Sequence, residues 1–144
     1  MVMFVKVSDA MSRSPITVTL KDSVQDCAKK MFSLDVGSLV VQENGILRGI
    51  ITEKDLIDKV VAKALDPKRR TAADIMTVRL HTISPDKNLQ DAVRFMNENG
   101  VHRLPVVDQN NKIIGMLTHA DIVKIQPALI DLITERFRIG KHTL

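Results

Sequence analysis

Apolar residues follow the same order twice along the chain. In each copy a short extended piece comes first, at residues 16–18 and 81–83, a stretch with helical spacing follows, and two apolar runs come after it. The helical spacing is clearest in the second copy, at Leu89, Ala92, Val93 and Met96. The paired apolar runs are residues 39–41 and 46–52, then 104–107 and 112–118. With a last helix beginning at Thr52 and at Thr118, the pattern predicts β-α-β-β-α in each copy.

Polar residues mark where these elements begin and end. Ser23 and Asn88 are suitable N-caps for helices that run to about Leu34 and Asn99. Gly100 is well placed to end the second helix. Asn44-Gly45 lies between two apolar runs and has the composition of a hairpin turn.

Direct comparison of the chain with itself confirms an internal repeat. A shift of 65 residues aligns Asp9-Ala-Met11 with Asp74-Ile-Met76, and a shift of 66 aligns the later part of each copy. The most informative matches are Gly49, Thr52 and Asp55 with Gly115, Thr118 and Asp121.

The repeat sets the expected organisation. We predict an α+β fold with one copy at residues 7–62, a linker at 63–70, the other copy at 71–125, and a C-terminal helical extension at 126–144. One copy is too small to bury both faces of its sheet. We therefore expect the two to pack sheet to sheet with pseudo-twofold symmetry, leaving clefts for ligands.

Composition narrows the choice of function. The net charge is +4, from 21 basic and 17 acidic residues, which suits an anionic ligand. The longest basic run, Lys68-Arg69-Arg70, is typical of a solvated linker. It leaves nucleic-acid binding as an alternative, but with aromatic residues at only 3% the chain lacks stacking platforms for single strands. The one cysteine, Cys27, is expected to be a core thiol. With neither a membrane span nor a signal peptide predicted, we expect a cytoplasmic protein.

The repeated Gly-x-x-Thr-x-x-Asp sequence carries the candidate chemistry. Each copy runs from a strand into a helix start, where a threonine can cap the helix near an anion. The aspartate one turn later can accept two hydrogen bonds from a diol such as ribose. The glycine lets another group approach the backbone closely. A purely structural capping box explains the threonine and aspartate equally well.

These motifs resemble the CBS-domain family. The similarity rests on Asp-x-Met, a short Thr-Val strand, Gly-x-x-Thr-x-x-Asp after a hairpin, and the phrase Val101-His-Arg-Leu-Pro-Val-Val-Asp108. It covers roughly residues 7–123 and implies a tandem pair, called a Bateman module.

The resemblance also implies a nucleotide-binding set. Asp55 and Asp121 would bind ribose, and Thr52 and Thr118 would lie near phosphate. The base would be flanked by Thr17 and Val18 or by Thr82 and Ile83. His102 and Arg103 would contact phosphate, on a ligand whose ribose is held by Asp55. The implied set also includes Lys54 and Pro105. The first copy has Gly37-Ser38 in place of His102-Arg103, so the two sites should be inequivalent.

The resulting hypothesis is a regulatory module without catalytic activity. Its ligand would be AMP, ADP or ATP, or S-adenosylmethionine, and its partners a second copy in a homodimer and an unidentified effector protein. No catalytic residue is predicted, because no activated nucleophile or acid–base pair is evident. A metal site at His81, His119 and His142 is not favoured, because the spacing fits no metal motif.

Overall fold

The computed structural model describes residues 5–125, which form two compact units. We call them the second-copy unit and the first-copy unit, after the repeat that supplies most of each. Within the described residues, the second-copy unit comprises residues 5–14, 81–109 and 114–125, and the first-copy unit comprises residues 15–80 and 110–113. Each repeat therefore shares a unit with the Asp-x-Met segment from the beginning of the other repeat. The predicted linker, residues 63–70, lies within the first-copy unit.

The first-copy unit is built on a three-stranded sheet. Strands β1 (Thr17–Val18), β2 (Ser38–Glu43) and β3 (Ile46–Thr52) lie in the order β1-β2-β3, with β1 parallel to β2 and β2 antiparallel to β3. Asn44 and Gly45 both have positive φ, at 54° and 82°, which suits a tight hairpin turn between β2 and β3.

Helices complete the first-copy unit. They are α2 (Val24–Leu34), α3 (Glu53–Leu56) and α4 (Ala72–Ile75), and a π-helical turn, Ile57–Val61, continues α3. Ser23 caps α2 as predicted, since its Oγ accepts a hydrogen bond from Asp26 N at 3.0 Å. Cys27 is fully buried in this core. Burial raises the pKa of its thiol to about 11, with a smaller contribution from nearby acidic residues, so the thiol stays protonated at neutral pH.

The second-copy unit pairs β4 (Arg103–Val107) with β5 (Ile113–Thr118). Its helices are α1 (Val7–Ala10), α5 (Leu89–Asn99) and α6 (His119–Ile125). Asn88 caps α5 and Gly100 ends it with φ at 63°, as predicted. The predicted strand at residues 81–83 is reduced to one parallel bridge between Ile83 and Val106.

The α+β class and the two-repeat architecture are confirmed. The predicted C-terminal extension lies outside the described residues. The exact repeat boundaries and the sheet-to-sheet packing remain predictions.

Candidate functional site

The first Gly-x-x-Thr-x-x-Asp motif forms a complete capping box at the start of α3. The Thr52 hydroxyl accepts a hydrogen bond from Asp55 N at 3.3 Å, and Asp55 Oδ2 accepts one from Thr52 N at 2.9 Å. The same carboxylate oxygen lies 3.2 Å from Thr52 Oγ1. The interpretation of the first motif as a capping box is therefore correct, although it does not account for every contact of Asp55.

Asp55 has partners beyond the capping box. Lys59 Nζ lies 2.9 Å from its Oδ1, and the Thr77 hydroxyl donates to the same oxygen at 3.2 Å. Lys59 is also anchored by a hydrogen bond of 2.8 Å to the carbonyl oxygen of Ile75. Asp55 is only 7% exposed, so these contacts supply its hydrogen bonds and its counter-charge.

The second motif repeats the box but not the ion pair. Asp121 Oδ2 accepts hydrogen bonds from Thr118 N at 2.9 Å and Thr118 Oγ1 at 3.0 Å. From the part of the chain that the structure describes, its other oxygen receives only a long contact of 3.4 Å from the Ser12 hydroxyl. Ile125 occupies the position equivalent to Lys59, and within residues 5–125 no basic side chain pairs with Asp121. Asp121 therefore keeps one lightly bonded oxygen.

The motif glycines do permit a close approach, and the approaching group is this chain's own backbone. A Cβ on Gly49 would lie 2.9 Å from the carbonyl oxygen of Thr77, and one on Gly115 would lie 2.9 Å from that of Ser12. Thr77 and Ser12 pair with the strands that contain these glycines through isolated antiparallel bridges. Each glycine therefore admits the Asp-x-Met segment that brings a hydroxyl to the motif aspartate.

Two histidine rings meet beside the second motif. The rings of His102 and His119 meet edge to face, with centroids 5.6 Å apart, and Arg103 begins β4 next to His102. Burial lowers the pKa of His119, and the neighbouring His102 lowers it further. The first copy has Glu53 at the position of His119, so the equivalent position there carries a negative charge in place of a histidine ring.

Lys54, which was expected to contact a nucleotide, pairs with Asp58 on the same helical segment. Its ammonium group forms an exposed ion pair of 2.6 Å with Asp58, and the hydrogen bond in this pair raises the pKa of Lys54. The structure therefore gives Lys54 a local helix contact, and its role toward a nucleotide stays a prediction.

The residues expected to flank the base fall in both units. Thr17 and Val18 form β1, while Ile83 N donates to the carbonyl oxygen of the buried Pro105 at 3.1 Å. Thr82 and Ile83 line a cavity of about 390 Å³, together with Ser84, Lys87, Asp91 and Phe95. Thr118 and Asp121 are not part of that lining, so the cavity and the capping box are separate features of the second-copy unit.

Sequence reasoning missed four residues that shape the motifs. Lys59 is separated from Asp55 by four residues, a helical ion-pair spacing that was available from the sequence. Thr77 and Ser12 are equivalent residues, each directly after an Asp-x-Met segment. Their contacts with Asp55 and Asp121 join residues that are 22 and 109 positions apart in the sequence. His119 was considered only as a metal ligand. Across residues 5–125, no cluster of three His, Cys, Asp or Glu side chains is suited to holding a metal ion.

Membrane insertion of a helix finds no support in the part of the chain that the structure describes. No helix there has the length and apolar character needed to cross a bilayer.

Comparison with known proteins identifies the family. The family model for the CBS domain matches residues 7–62 and 72–128. Protein MK0525 of Methanopyrus kandleri is 37% identical over 93% of this chain and 69% of its own length, and the CBS domain-containing protein YhcV of Bacillus subtilis is 31% identical over 81% of both. A solved CBS domain pair, that of protein MJ0100 in complex with 5′-methylthioadenosine and S-adenosyl-L-methionine, is 28% identical with a TM-score of 0.76, covering 88% of this chain and 98% of that one. With both repeats matched, the chain belongs to the CBS domain family.

Proposed function

We propose that this protein is a regulatory module that binds an adenosine-containing ligand and transmits its presence to a partner protein. The observation that carries the proposal is the lightly bonded Asp121 carboxylate oxygen at the end of a strand-to-helix turn. A ribose diol offers the hydroxyl donors that such an oxygen accepts. The adenosine compounds bound by the CBS pair of MJ0100 support the same ligand class.

The hydrogen-bond donors around the second motif favour a ligand with an anionic group. Arg103 offers a fork of donors to a phosphate, and His102 and His119 add ring nitrogens close by. AMP, ADP and ATP fit this arrangement through their phosphates. S-adenosylmethionine fits through its carboxylate and shares the adenosine portion.

The proposed output is a ligand-dependent shift between conformations that an effector protein distinguishes. No residue is assigned a catalytic role, because the motif aspartates cap helices and the lightly bonded oxygen of Asp121 is assigned to ribose.

Two measurements test the ligand class. Mass spectrometry of small molecules released from the purified protein should find an adenosine compound at a near-stoichiometric level. Calorimetric titrations with AMP, ATP and S-adenosylmethionine should give saturable binding, with GMP as the control for the base. Absence of an adenosine compound together with absence of binding in every titration would overturn the proposal, and salt-sensitive binding of DNA or RNA instead would favour a nucleic-acid-binding protein.

A further inference from the structure

The two motif copies differ most in the groups that contact the second carboxylate oxygen of the aspartate. In the first copy, Lys59 and Thr77 both occupy Asp55 Oδ1, at 2.9 and 3.2 Å. In the second copy, the one contact of the equivalent oxygen of Asp121 among residues 5–125 is the 3.4 Å contact with Ser12. A carboxylate oxygen that already accepts two hydrogen bonds, one from a cation, has little remaining capacity for a ribose hydroxyl.

Lys59 is also held in place independently of Asp55. Its Nζ donates to the carbonyl oxygen of Ile75 at 2.8 Å and lies 3.4 Å from Thr77 Oγ1. Its side chain is 37% exposed, while that of Asp55 is 10% exposed, so the cation forms the outer layer over the carboxylate. A diol approaching Asp55 would have to displace an ammonium group with three partners.

We propose that Lys59 closes the first motif to ligands and thereby leaves Asp121 as the ribose-binding aspartate of the chain. The inference rests on the proposed function and adds the residue that makes the two sites inequivalent. It differs from the sequence-based expectation that the ribose is held by Asp55. Glu53 at the first motif, where the second motif has His119, disfavours an anionic ligand at the closed site as well.

The wild-type protein allows a direct test without mutation. In a titration with S-adenosylmethionine or AMP followed by amide NMR, the signals of Gly115, Thr118 and Asp121 should move and saturate. Those of Gly49, Thr52 and Asp55 should not follow the same saturation curve. Movement of the first set of motif signals in place of the second would overturn the inference.

Exchange of the two residues at the distinguishing position provides the second test. Lys59→Ile, which copies the residue found in the second motif, should add a second binding site per chain for adenosine, which has no anionic group for Glu53 to repel. Lys63→Ile removes the same charge from an exposed position and should leave one site. Conversely, Ile125→Lys should weaken binding about tenfold or more, as expected for loss of a charged hydrogen-bond partner. Gln90→Lys adds the same charge at an exposed position of α5 and should leave the affinity within about twofold.

Failure of this inference can be distinguished from failure of the proposed function. If no adenosine compound binds to the wild type or to any variant, the proposed function fails and the inference fails with it. If the wild type binds but Asp121→Asn retains full affinity, Asp121 is not the ribose-binding residue and the inference is wrong. If Asp121→Asn weakens binding but Lys59→Ile adds no site and Ile125→Lys has no effect, only the role of Lys59 is wrong. Because Ile125 is 44% exposed, the lysine side chain of this variant has room at the surface and the buried side chains can keep their positions.

Discussion

Histidine chemistry at the second motif makes its stability sensitive to pH. His119 is partly buried at the start of α6, and its ring lies against that of His102. Burial lowers the pKa of His119 below the ordinary value of 6.5, since the buried ring resists protonation. The unfolded chain therefore binds a proton at a higher pH than the folded chain does.

We expect His119 to destabilise the fold in mild acid. Because its folded pKa is lowered, the contribution of the neutral ring is fully present above the unfolded pKa and is lost as the pH falls from there through the folded pKa. Urea unfolding of the wild type and of His119→Gln, from about pH 8 to about pH 5, should show a smaller loss of stability in the variant. Identical slopes for the two proteins would contradict the assignment.

The neighbouring ring supplies an internal control. His102 lowers the pKa of His119, so His102→Gln should raise the pKa of His119 in an NMR titration. A pKa that stays the same would mean that burial alone is responsible.

At the scale of elements, the motif glycines join each strand to the segment that supplies its hydroxyl. At both positions a Cβ would lie 2.9 Å from a backbone carbonyl oxygen, which cannot rotate away. Gly37 differs, because its added Cβ would meet only the end of the Glu53 side chain at 3.4 Å.

Gly49→Ala and Gly115→Ala should therefore each destabilise the protein by about 1–3 kcal/mol, the usual cost of forcing extra volume into a packed site. Gly37→Ala should be neutral or stabilising by up to about 1 kcal/mol, because it only restricts the unfolded chain. Urea denaturation of the three variants measures both effects. Equal stability of Gly115→Ala and Gly37→Ala would show that the bridge to Ser12 adjusts without cost.

Elements were predictable from the sequence where local rules govern them. The caps at Ser23 and Asn88 and the helix end at Gly100 depend on residues within one turn, and all three were predicted correctly. The hydroxyl groups that contact Asp55 and Asp121 belong to Thr77 and Ser12, which follow the two Asp-x-Met segments. Each of these segments begins one repeat and packs with the other, so the repeats exchange them. A repeat pattern cannot reveal that exchange, because each copy reads the same whichever segment it packs against. The lost strand at residues 81–83 likewise reflects tertiary pairing and not local propensity.

The whole molecule carries apolar side chains that its own core does not cover. Phe32 is 89% exposed on α2, and Val61 and Ile57 are 72% and 58% exposed on the π-helical turn. Ile57 and Val61 stand four residues apart, so their side chains share one side of the turn. Burying such a surface against an identical copy by twofold symmetry would remove it from water.

We therefore expect a homodimer in solution whose interface includes Ile57 and Val61. Sedimentation equilibrium should give the mass of a dimer at micromolar concentration. The double variant Ile57→Asp/Val61→Asp should weaken dimerisation by about a hundredfold or more, because burying each apolar side chain is worth about 1.5–3 kcal/mol and each 1.4 kcal/mol is about tenfold. Val78→Asp changes a 63% exposed valine outside the helices and should leave the dimer intact. A monomeric wild type, or equal dissociation constants for the wild type and the double variant, would exclude this turn from a dimer interface.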